Sequence, residues 1–450
     1  ARQMLAARPR LFPQFASHNA LTVATILEMA GADRSGFEFQ RLHGMGEALY
    51  EAVWGMDHVP CRIYAPVGGH RELLAYLVRR LLENGANSSF VAIAGDRSVP
   101  VEALLVRPAA ILEDGARARH ARIPLPVDLY APARRNSRGI ELGHRRELAA
   151  LVRGVAAHGA PVAARPLAEG VSASTPRPVV SPVDGRPVGS VVEASEGAIG
   201  AVMVAAGEGF RAWSRVPAAD RAAALDRMAD LVEAERDALV ALLAREGGKT
   251  LNDGIAEVRE AADFCRYYAA EARRLFTAGE VMPGPTGERD VLAYRGRGVF
   301  ACISPWNFPL AIFLGQVAGA LAAGNAVVAK PAEQTPLVAF RAVEMLHAAG
   351  VPPAVVQLLP GDGRVGAALV AHPAIAGVAF TGSTEVAAAI NRALAAKDGP
   401  IVPLVAETGG INAMIVDGTA LPEQVTDDVI ASAFRSAGQR CSALRILYLQ

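Results

Sequence analysis

The segment GVFACISPWNFPLAIFLGQVAGALAAGNAVVAK, residues 298–330, decides the fold of this 450-residue chain. It carries no charge before Lys330, and an uncharged stretch of this length can be a helix that crosses a membrane. Pro305, Pro309 and Gly324 interrupt it, however. The helical part between Pro309 and Gly324 would span about 22 Å, less than the roughly 30 Å of a bilayer core. The segment therefore predicts a buried strand, a helix and a second buried strand.

The same alternation of strand and helix continues to residue 410. Five apolar runs predict strands, and four helical patterns lie between them. The predicted strands are Val299–Ser304, Ala326–Lys330, Val355–Pro360, Gly377–Thr381 and Pro403–Glu407, and the predicted helices are Leu310–Ala323, Leu337–Ala349, Arg364–Ala371 and Glu385–Ala396. This order predicts the α/β class with a doubly wound parallel sheet, in which ligands bind beyond the carboxyl ends of the strands.

Residues 1–95 also alternate strands with helices. The predicted strands are Leu11–Phe15, Phe37–Leu42 and Cys61–Pro66, and the predicted helices are Asn19–Gly31, Gly44–Gly55 and His70–Gly85. They indicate parallel strands with crossover helices, but three units are too few to close a barrel of eight. Residues 96–170, with scattered arginines and prolines and one predicted helix near 141–157, are typical of a connector. The third predicted domain is 171–450, and it begins with a largely helical stretch at 196–276.

The composition excludes several functions. Lys plus Arg and Asp plus Glu number 45 each, so there is no overall basic field to attract nucleic acid. The four cysteines lack the spacing of a disulfide framework or a metal site, which favours a reducing, cytoplasmic compartment and no bound metal. The Gly-Lys-Thr at 248–250 lacks the first glycine of a phosphate-binding loop. The chain starts without Met or a signal peptide and ends inside a predicted strand, so we expect a piece of a longer protein.

One cysteine lies in a turn that suits a nucleophile. The string SAGQRCS, residues 436–442, is called the Cys441 turn, and it precedes the apolar run 443–449. A thiolate nucleophile needs a partly exposed turn and nearby backbone N–H donors. A lone cysteine is more often a small buried apolar residue. The residues alone leave both interpretations open.

Five short motifs follow the predicted strands, at the edge of the sheet where ligands bind. They are SPWNFP at 304–309, KPAEQTP at 330–336, PGDG at 360–363, FTGSTE at 380–385 and ETGG at 407–410. None contains the G-x-G-x-x-G of the usual dinucleotide site. Together with the Cys441 turn and in this order, the motifs resemble the aldehyde dehydrogenase superfamily over most of residues 180–450.

The resemblance implies three catalytic residues. Cys441 would attack the aldehyde carbon, and the thiohemiacetal would become a thioester by loss of hydride. The side-chain amide of Asn307, with the backbone N–H of the nucleophile, would stabilise the oxyanion. Glu407 would activate the water that hydrolyses the thioester. The structural alternatives are a turn-stabilising Asn307 and a Glu407 that only ends a strand.

The resemblance also implies an NAD site. Lys330 and Glu333 would hold the adenosine ribose hydroxyls, and Glu333 would disfavour the 2′-phosphate of NADP. Ser383 opens a helix whose N–H groups can face the pyrophosphate, and Trp306 would form a wall of the cofactor channel. The residues expected around NAD are Ile303, Ser304, Pro305, Trp306, Lys330, Glu333, Gly363, Thr381, Gly382 and Ser383.

Four N-terminal strings carry a second resemblance: FASHN at 15–19, EFQRLHGMG at 38–46, YAPVG at 64–68 and RRLLENGANSSF at 79–90. They resemble the C-terminal part of the (β/α)8 proline dehydrogenase barrel of bifunctional proline utilization A proteins. The resemblance implies that His18 and Asn19 lie along FAD. The residues implied at the proline site are Tyr64, Tyr76, Arg79, Arg80 and Glu83.

The adjacent Arg79 and Arg80 can bind a carboxylate with their guanidinium groups. Glu83 lies four positions after Arg79 and three after Arg80, so it can hold these groups in place. An exposed helical ion pair is the alternative.

The two resemblances together imply a function in proline degradation. In that family an FAD-dependent site oxidises proline and passes electrons to a quinone. A second site then oxidises L-glutamate γ-semialdehyde, the open form of 1-pyrroline-5-carboxylate, to L-glutamate with NAD. A homo-oligomer in the cytoplasm, peripheral at the inner membrane when complete, is expected, with no nucleic-acid site in this stretch. Another aldehyde substrate, or a cofactor-binding remnant without turnover, stays open as an alternative.

Overall fold

The structure is a computed structural model, and it describes residues 1–85, 93, 96, 98–107, 110, 119–120, 122–168, 170–171 and 175–450. These residues form two compact units, Ala1–Ile123 and Pro124–Gln450. No helix among the described residues is both long enough and apolar enough to cross a membrane.

The first unit contains a parallel sheet of three strands. Its elements are α1 Arg2–Ala6, β1 Gln14–Ala16, α2 Ala20–Ala30, β2 Glu38–Leu42, α3 Glu47–Asp57, β3 Cys61–Tyr64, α4 His70–Gly85 and α5 Val101–Leu104. The strands lie in the order β1-β2-β3, and Phe37, Phe39 and Tyr50 are part of the core between sheet and helices. The three predicted strand–helix units are confirmed. Strand β1 starts three residues later than predicted because Pro13 has no N–H to donate to a ladder.

The second unit begins with short strands and a group of helices. Its first elements are α6 Arg145–Ala156, β4 Val162–Ala164, β5 Arg177–Val180, β6 Pro187–Val191, α7 Ile199–Trp213, α8 Ala218–Ala234, α9 Arg236–Gly247, α10 Leu251–Phe276, β7 Glu280–Met282 and β8 Asp290–Leu292. Strands β4, β6 and β5 form a small mixed sheet, and β7 pairs with β8 antiparallel. The predicted helices near 141–157 and across 196–276 are confirmed, the latter as four helices.

The main sheet of the second unit has five parallel strands. Its elements are β9 Val299–Ile303, α11 Ala311–Ala322, β10 Ala326–Lys330, α12 Pro336–Ala348, β11 Val356–Leu358, α13 Gly363–Ala371, β12 Ile375–Gly382, α14 Thr384–Ala395 and β13 Leu404–Thr408. The strand order is β11-β10-β9-β12-β13 with every pair parallel. The predicted doubly wound sheet is therefore confirmed. The order reverses between β9 and β12, and the carboxyl ends of these two strands flank a crevice.

Helices cover both faces of this sheet because successive strand residues point to opposite sides. On β10, Val327 lies in a core cluster with residues of α8, α10, α11 and α12. Val328, the next residue, lies in a second cluster with residues of α7, α13 and α14. Both valines are completely buried, which explains why the strand reads as a continuous apolar run.

The chain after β13 forms an arm that carries the Cys441 turn. Its elements are β14 Asn412–Val416, α15 Pro422–Val429, a π-helical turn Ile430–Phe434, a 3-10 turn Arg435–Gly438 and β15 Leu444–Leu449. Strands β14 and β15 pair parallel as a two-stranded sheet. The strand predicted at 443–449 is confirmed as β15.

Glu246, on α9, is a buried carboxyl group that binds the backbone at the start of α12. Its two oxygens accept hydrogen bonds from the backbone N–H groups of Leu337 at 2.7 Å and Val338 at 2.9 Å. Burial raises the pKa of Glu246 from 4.5 to about 8, although the two N–H donors act in the opposite direction. Between these two pKa values, Glu246 therefore keeps its proton in the folded protein, whereas it has lost that proton in the unfolded chain.

The stability of the second unit is expected to fall as pH rises from about 5 to 8. The folded state binds more protons than the unfolded state in this window, so raising the pH favours unfolding. Between pH 5.5 and 7.5 the loss relative to Glu246→Gln should be on the order of 1–3 kcal/mol. Thermal and urea unfolding of both proteins across this range measure the difference. Identical pH slopes would contradict the raised pKa.

Candidate active site

A cavity of about 700 Å³ opens at the carboxyl ends of β9, β10 and β12. We call it the switch-point cavity; its size is typical of a small-molecule site. All ten residues predicted around NAD line it, and so do Asn307 and Cys441. Apolar residues of α13 and α14 add a wall that the motifs do not indicate, and they include Val370, Val386 and Ile390.

Gln316 connects the carboxyl ends of the neighbouring strands β9 and β12. Its side-chain Nε2 donates to Thr381 Oγ1 at 3.0 Å and to the carbonyl oxygen of Ile303 at 3.3 Å. Gln316 therefore holds the ends of β9 and β12 together below the crevice. The sequence offers one signal for it, since Gln316 is the single polar side chain in the apolar helix α11.

Lys330 ends β10 and is buried in the cavity wall. Burial lowers the pKa of Lys330, while the carboxylates of Glu333, Asp362 and Glu193 act in the opposite direction. The guanidinium of Arg177 donates to the backbone carbonyl of Glu333 at 2.9 Å and pairs with Glu193 at 2.7 Å. Lys330 and the exposed Glu333 thus present a donor and an acceptor in one wall, which suits the hydroxyls of a ribose.

The helix α14 points its N-terminus at the same cavity. Ser383 is its N-cap, and the Ser383 hydroxyl accepts from the Val386 N–H at 3.3 Å. Thr381 and Gly382 lead into this turn and also line the cavity. The N–H groups of a first helical turn and the positive end of the helix dipole favour anions at such a terminus.

The Cys441 turn has an unusual backbone. Ser436, Ala437 and Gly438 have φ values of 54°, 54° and 67°, in the left-handed region that side chains rarely adopt. Asn412 Nδ2 donates to the carbonyl oxygen of Cys441 at 2.7 Å and to that of Ala443 at 2.9 Å. The thiol itself is exposed.

Asn412 is a residue that the motifs did not single out. Its position two residues after the ETGG string was the available signal.

Asn307 reaches the Cys441 turn from the other side. Its side-chain Nδ2 donates to the carbonyl oxygen of Gln439 at 2.9 Å, two residues before the cysteine. An amide nitrogen carries two hydrogens, so Asn307 can hold the turn with one and offer the other to an oxyanion. The structure therefore brings Asn307 and Cys441 into one cavity wall.

Glu407 lies at the end of β13, opposite Thr381 in the sheet register. Its side chain is exposed. The described lining of the switch-point cavity includes Thr408 and Gly409 but not Glu407. The structure thus brings Glu407 to the edge of the cavity without making it part of the wall that holds Cys441.

The two predicted FAD residues, His18 and Asn19, closely follow β1 in the first unit. His18 Nε2 accepts from the Leu42 N–H at 3.1 Å. Burial lowers the pKa of His18, and the cations of Arg41 and Arg80 lower it further. Asn19 is the N-cap of α2 through a 3.2 Å hydrogen bond from Thr22 N–H to its Oδ1.

The predicted proline-site residues lie on β3 and α4. The rings of Tyr64 and Tyr76 are 6.4 Å apart, and the guanidinium of Arg80 lies 5.3 Å from the centre of the Tyr76 ring. Arg79 is exposed on the same helix. The side chain of Glu83 lies outside the described residues, so its predicted contact with the arginines stays a prediction.

Residues 169–450 match the Aldehyde dehydrogenase family, and residues 1–93 match Proline dehydrogenase. The bifunctional protein PutA of Rhizobium meliloti is 52% identical over 450 residues, which cover 97% of this chain and 35% of PutA. A crystal structure of a proline utilization A variant from Bradyrhizobium japonicum is 61% identical over 100% of this chain and 43% of its own, with a TM-score of 0.82. A 1-pyrroline-5-carboxylate dehydrogenase from Thermus with bound NAD is 33% identical over 74% of this chain and 64% of its own, with a TM-score of 0.67.

The family match covers more than half of the chain and includes every motif of the switch-point cavity. The chain spans about a third of the length of the curated PutA relatives it matches. The resemblance inferred from the motifs is thereby confirmed for both segments. The chain belongs to the aldehyde dehydrogenase family, and its order of a proline dehydrogenase segment followed by an aldehyde dehydrogenase region is that of the bifunctional PutA proteins to which it is similar.

Proposed function

We propose that this chain carries the NAD-binding and nucleophile-bearing part of an enzyme that oxidises L-glutamate γ-semialdehyde to L-glutamate, the second step of proline degradation. One observation carries the proposal: the hydrogen bond from Asn307 to the Gln439 carbonyl joins two catalytic motifs in one cavity wall. The similarity to a 1-pyrroline-5-carboxylate dehydrogenase supports the substrate. The similarity to PutA along the chain supports the pathway.

The residues of the switch-point cavity fit NAD. Lys330 and Glu333 would bind the ribose hydroxyls, and the negative charge of Glu333 would repel a 2′-phosphate, so NAD is preferred over NADP. The N–H groups at the start of α14, after Ser383, would receive the pyrophosphate. The remaining residues of the cofactor set, Ile303, Ser304, Pro305, Trp306, Gly363, Thr381 and Gly382, would line its path. NAD, when bound, supplies the hydride acceptor of the reaction.

The residues of the chain would carry the covalent steps on Cys441. The thiolate of Cys441 attacks the aldehyde carbon; a C–S bond forms, and the carbonyl electron pair moves to oxygen. The Asn307 amide and the Cys441 backbone N–H donate to this oxyanion. Loss of hydride from the same carbon restores the carbonyl as a thioester. Glu407 takes a proton from water, whose oxygen attacks the thioester; the C–S bond breaks, and L-glutamate and the Cys441 thiolate are released.

Glu407 suits the role of base through its place in the sheet. It directly precedes Thr408, which lines the cavity, and it lies opposite Thr381 on β12. An exposed carboxylate at the cavity edge is open to water, the species it would activate. The flanking Gly409 and Gly410 allow cofactor and chain to approach closely.

We further propose that the complete protein has an FAD-dependent proline dehydrogenase site, which delivers electrons to a quinone. His18 and Asn19 would lie along FAD, and Tyr64, Tyr76, Arg79, Arg80 and Glu83 would surround proline. The described residues of the first unit would form one edge of such a site. The proposed domains are 1–95, 96–170 and 171–450, in a cytoplasmic homo-oligomer that is peripheral at the inner membrane.

Replacing Asn307 with alanine is expected to lower kcat for the semialdehyde by about 10²–10³-fold, because the oxyanion loses one of its two donors. Steady-state NADH formation measures the effect. NAD binding should change less than about threefold, since Asn307 would act on the oxyanion and not on the ribose or pyrophosphate. A kcat within threefold of wild type would show that Asn307 only stabilises the Cys441 turn and does not bind the oxyanion.

The proposed function is tested by NADH formation from NAD, comparing L-glutamate γ-semialdehyde with propanal as substrate. The complete protein and this chain should be assayed in parallel. A kcat/KM at least 100-fold higher for the semialdehyde in the complete protein supports the proposal. Turnover of propanal alone would instead indicate another aldehyde substrate, and NAD binding without any turnover would indicate a cofactor-binding remnant.

A further inference from the structure

We propose that Asp253 and Glu257, one turn apart at the start of α10, are positioning residues that hold the Cys441 turn and the Asn307 loop in register. The Asn307 loop is the string at 304–309. This inference rests on the proposed function, because it concerns the same nucleophile and oxyanion donor. Residues four apart lie on one face of a helix, so a single helix end serves both motifs.

Glu257 anchors the Asn307 loop. Its Oε1 accepts from the backbone N–H of Leu310 at 2.8 Å and from that of Ala311 at 3.3 Å. These residues directly follow the loop and begin α11. The Glu257 side chain is fully buried. A buried carboxylate that binds two backbone donors fixes where α11 starts, and with it the loop just before.

Lys249 completes this anchor. Its ammonium pairs with Glu257 Oε2 at 3.2 Å, with only 6% of the lysine side chain exposed. The same ammonium lies 4.1 Å from the centre of the Phe308 ring. Burial raises the pKa of Glu257, and the charge of Lys249 opposes that rise. Lys249 therefore links Glu257 to the residue next to Asn307.

Asp253 anchors the Cys441 turn. Its Oδ1 accepts from Arg440 at 3.3 Å and lies 3.4 Å from the Arg435 Nε, so it binds both ends of the segment before the nucleophile. Burial works to raise the pKa of Asp253, but Thr250, Ser436 and the two guanidinium groups outweigh it and keep the pKa below its usual value.

The two anchors meet at Phe308. Arg440, bound by Asp253, lies 5.4 Å from the centre of the Phe308 ring, which Lys249 also contacts. Both motifs are thus tied to α10 and to each other through one aromatic ring. Oxyanion stabilisation depends on donors held close to their productive positions, and a displacement of about 1 Å can cost about 10²-fold in rate.

The test uses the complete protein and a probe that needs neither aldehyde nor NAD. With p-nitrophenyl acetate, the Cys441 thiolate attacks the ester carbon, a C–S bond forms, the C–O bond breaks and p-nitrophenolate leaves. This acylation uses the thiol and the oxyanion donors. Iodoacetamide alkylation serves as the second probe, since it uses the thiol but no oxyanion donor.

The first variant combines Lys249→Met with Glu257→Leu, which removes the anchor without leaving a buried charge unpaired. It should slow acylation by about 10–100-fold and leave alkylation and NAD binding within twofold. Lys249→Met with Glu257→Gln keeps an oxygen that can accept from Leu310, and it should recover acylation to within about threefold of wild type. A purely structural role would not separate acylation from alkylation in this way.

The second variant, Asp253→Ala, releases Arg435 and Arg440 and should slow both acylation and alkylation by about tenfold, because the turn itself moves. Glu271→Gln is the matched control, since Glu271 lies on the same helix in a surface ion pair with Arg274 at 2.5 Å. It should leave the rates of both acylation and alkylation unchanged. If Lys249→Met/Glu257→Leu and Asp253→Ala are folded and both acylate within twofold of wild type, the proposal is overturned.

The outcome separates this inference from the proposed function. Wild-type protein that is acylated by the ester but makes no NADH from the semialdehyde contradicts the proposed function alone. Wild-type protein that is not acylated at all overturns the positioning roles as well, because no working oxyanion site is then present to be held.

Discussion

Cys441→Ala in the complete protein is expected to abolish NADH formation from L-glutamate γ-semialdehyde, a loss on the order of 10⁴–10⁶-fold in kcat. The aldehyde carbon releases hydride only after a nucleophile has made it tetrahedral, and alanine has no lone pair to attack it. The absorbance of NADH measures the rate. NAD binding should stay within twofold, because the residues proposed to bind the ribose and the pyrophosphate lie on other elements of the cavity wall.

Cys61→Ala is the matched control for this prediction. Cys61 is a partly exposed thiol of the first unit, so its loss should leave NADH formation unchanged. Residual turnover in Cys441→Ala above about 1% of wild type would contradict a thioester on Cys441, because another group would then have to attack the aldehyde.

Glu407→Gln is expected to lower steady-state kcat by about 10²–10⁴-fold while leaving a first-turnover burst of NADH. Hydride leaves before the thioester is hydrolysed, so loss of the base blocks only the later step. Stopped-flow absorbance resolves the burst, and intact mass spectrometry detects the acyl group retained on Cys441.

Two results would contradict this role for Glu407. Loss of the burst together with the steady-state rate would indicate that Glu407 acts before hydride transfer. An unchanged rate would make it the structural end of β13. Glu423→Gln provides the control, since Glu423 is another exposed carboxylate, on α15, outside the cavity lining.

The local pattern of the sequence was sufficient for the main sheet. Strand β9, and strand β10 up to its terminal Lys330, are apolar because helices cover both of their faces. The sequence alone is therefore sufficient to predict them. Strand β7 could not be predicted in this way. Its three residues are all exposed, so it shows neither an apolar run nor an alternation of buried and exposed residues. Strand β14, Asn412–Val416, was not predicted for a different reason: burial alternates along it, but Ala413 to Val416 are all apolar, so the sequence does not show that alternation.

The sequence by itself thus determined the doubly wound class and the strand-end motifs, and it singled out Cys441, Asn307 and the ten residues expected around NAD, all of which line one cavity. Tertiary structure alone decided that Asp253 meets Arg440, 187 residues further along the chain, and that Asn307 meets Gln439, 132 residues further along. The reason is physical. Burial and helical periodicity are properties of neighbouring residues, whereas a hydrogen bond across the fold depends on the strand order, which reverses between β9 and β12 and leaves no mark on the local pattern.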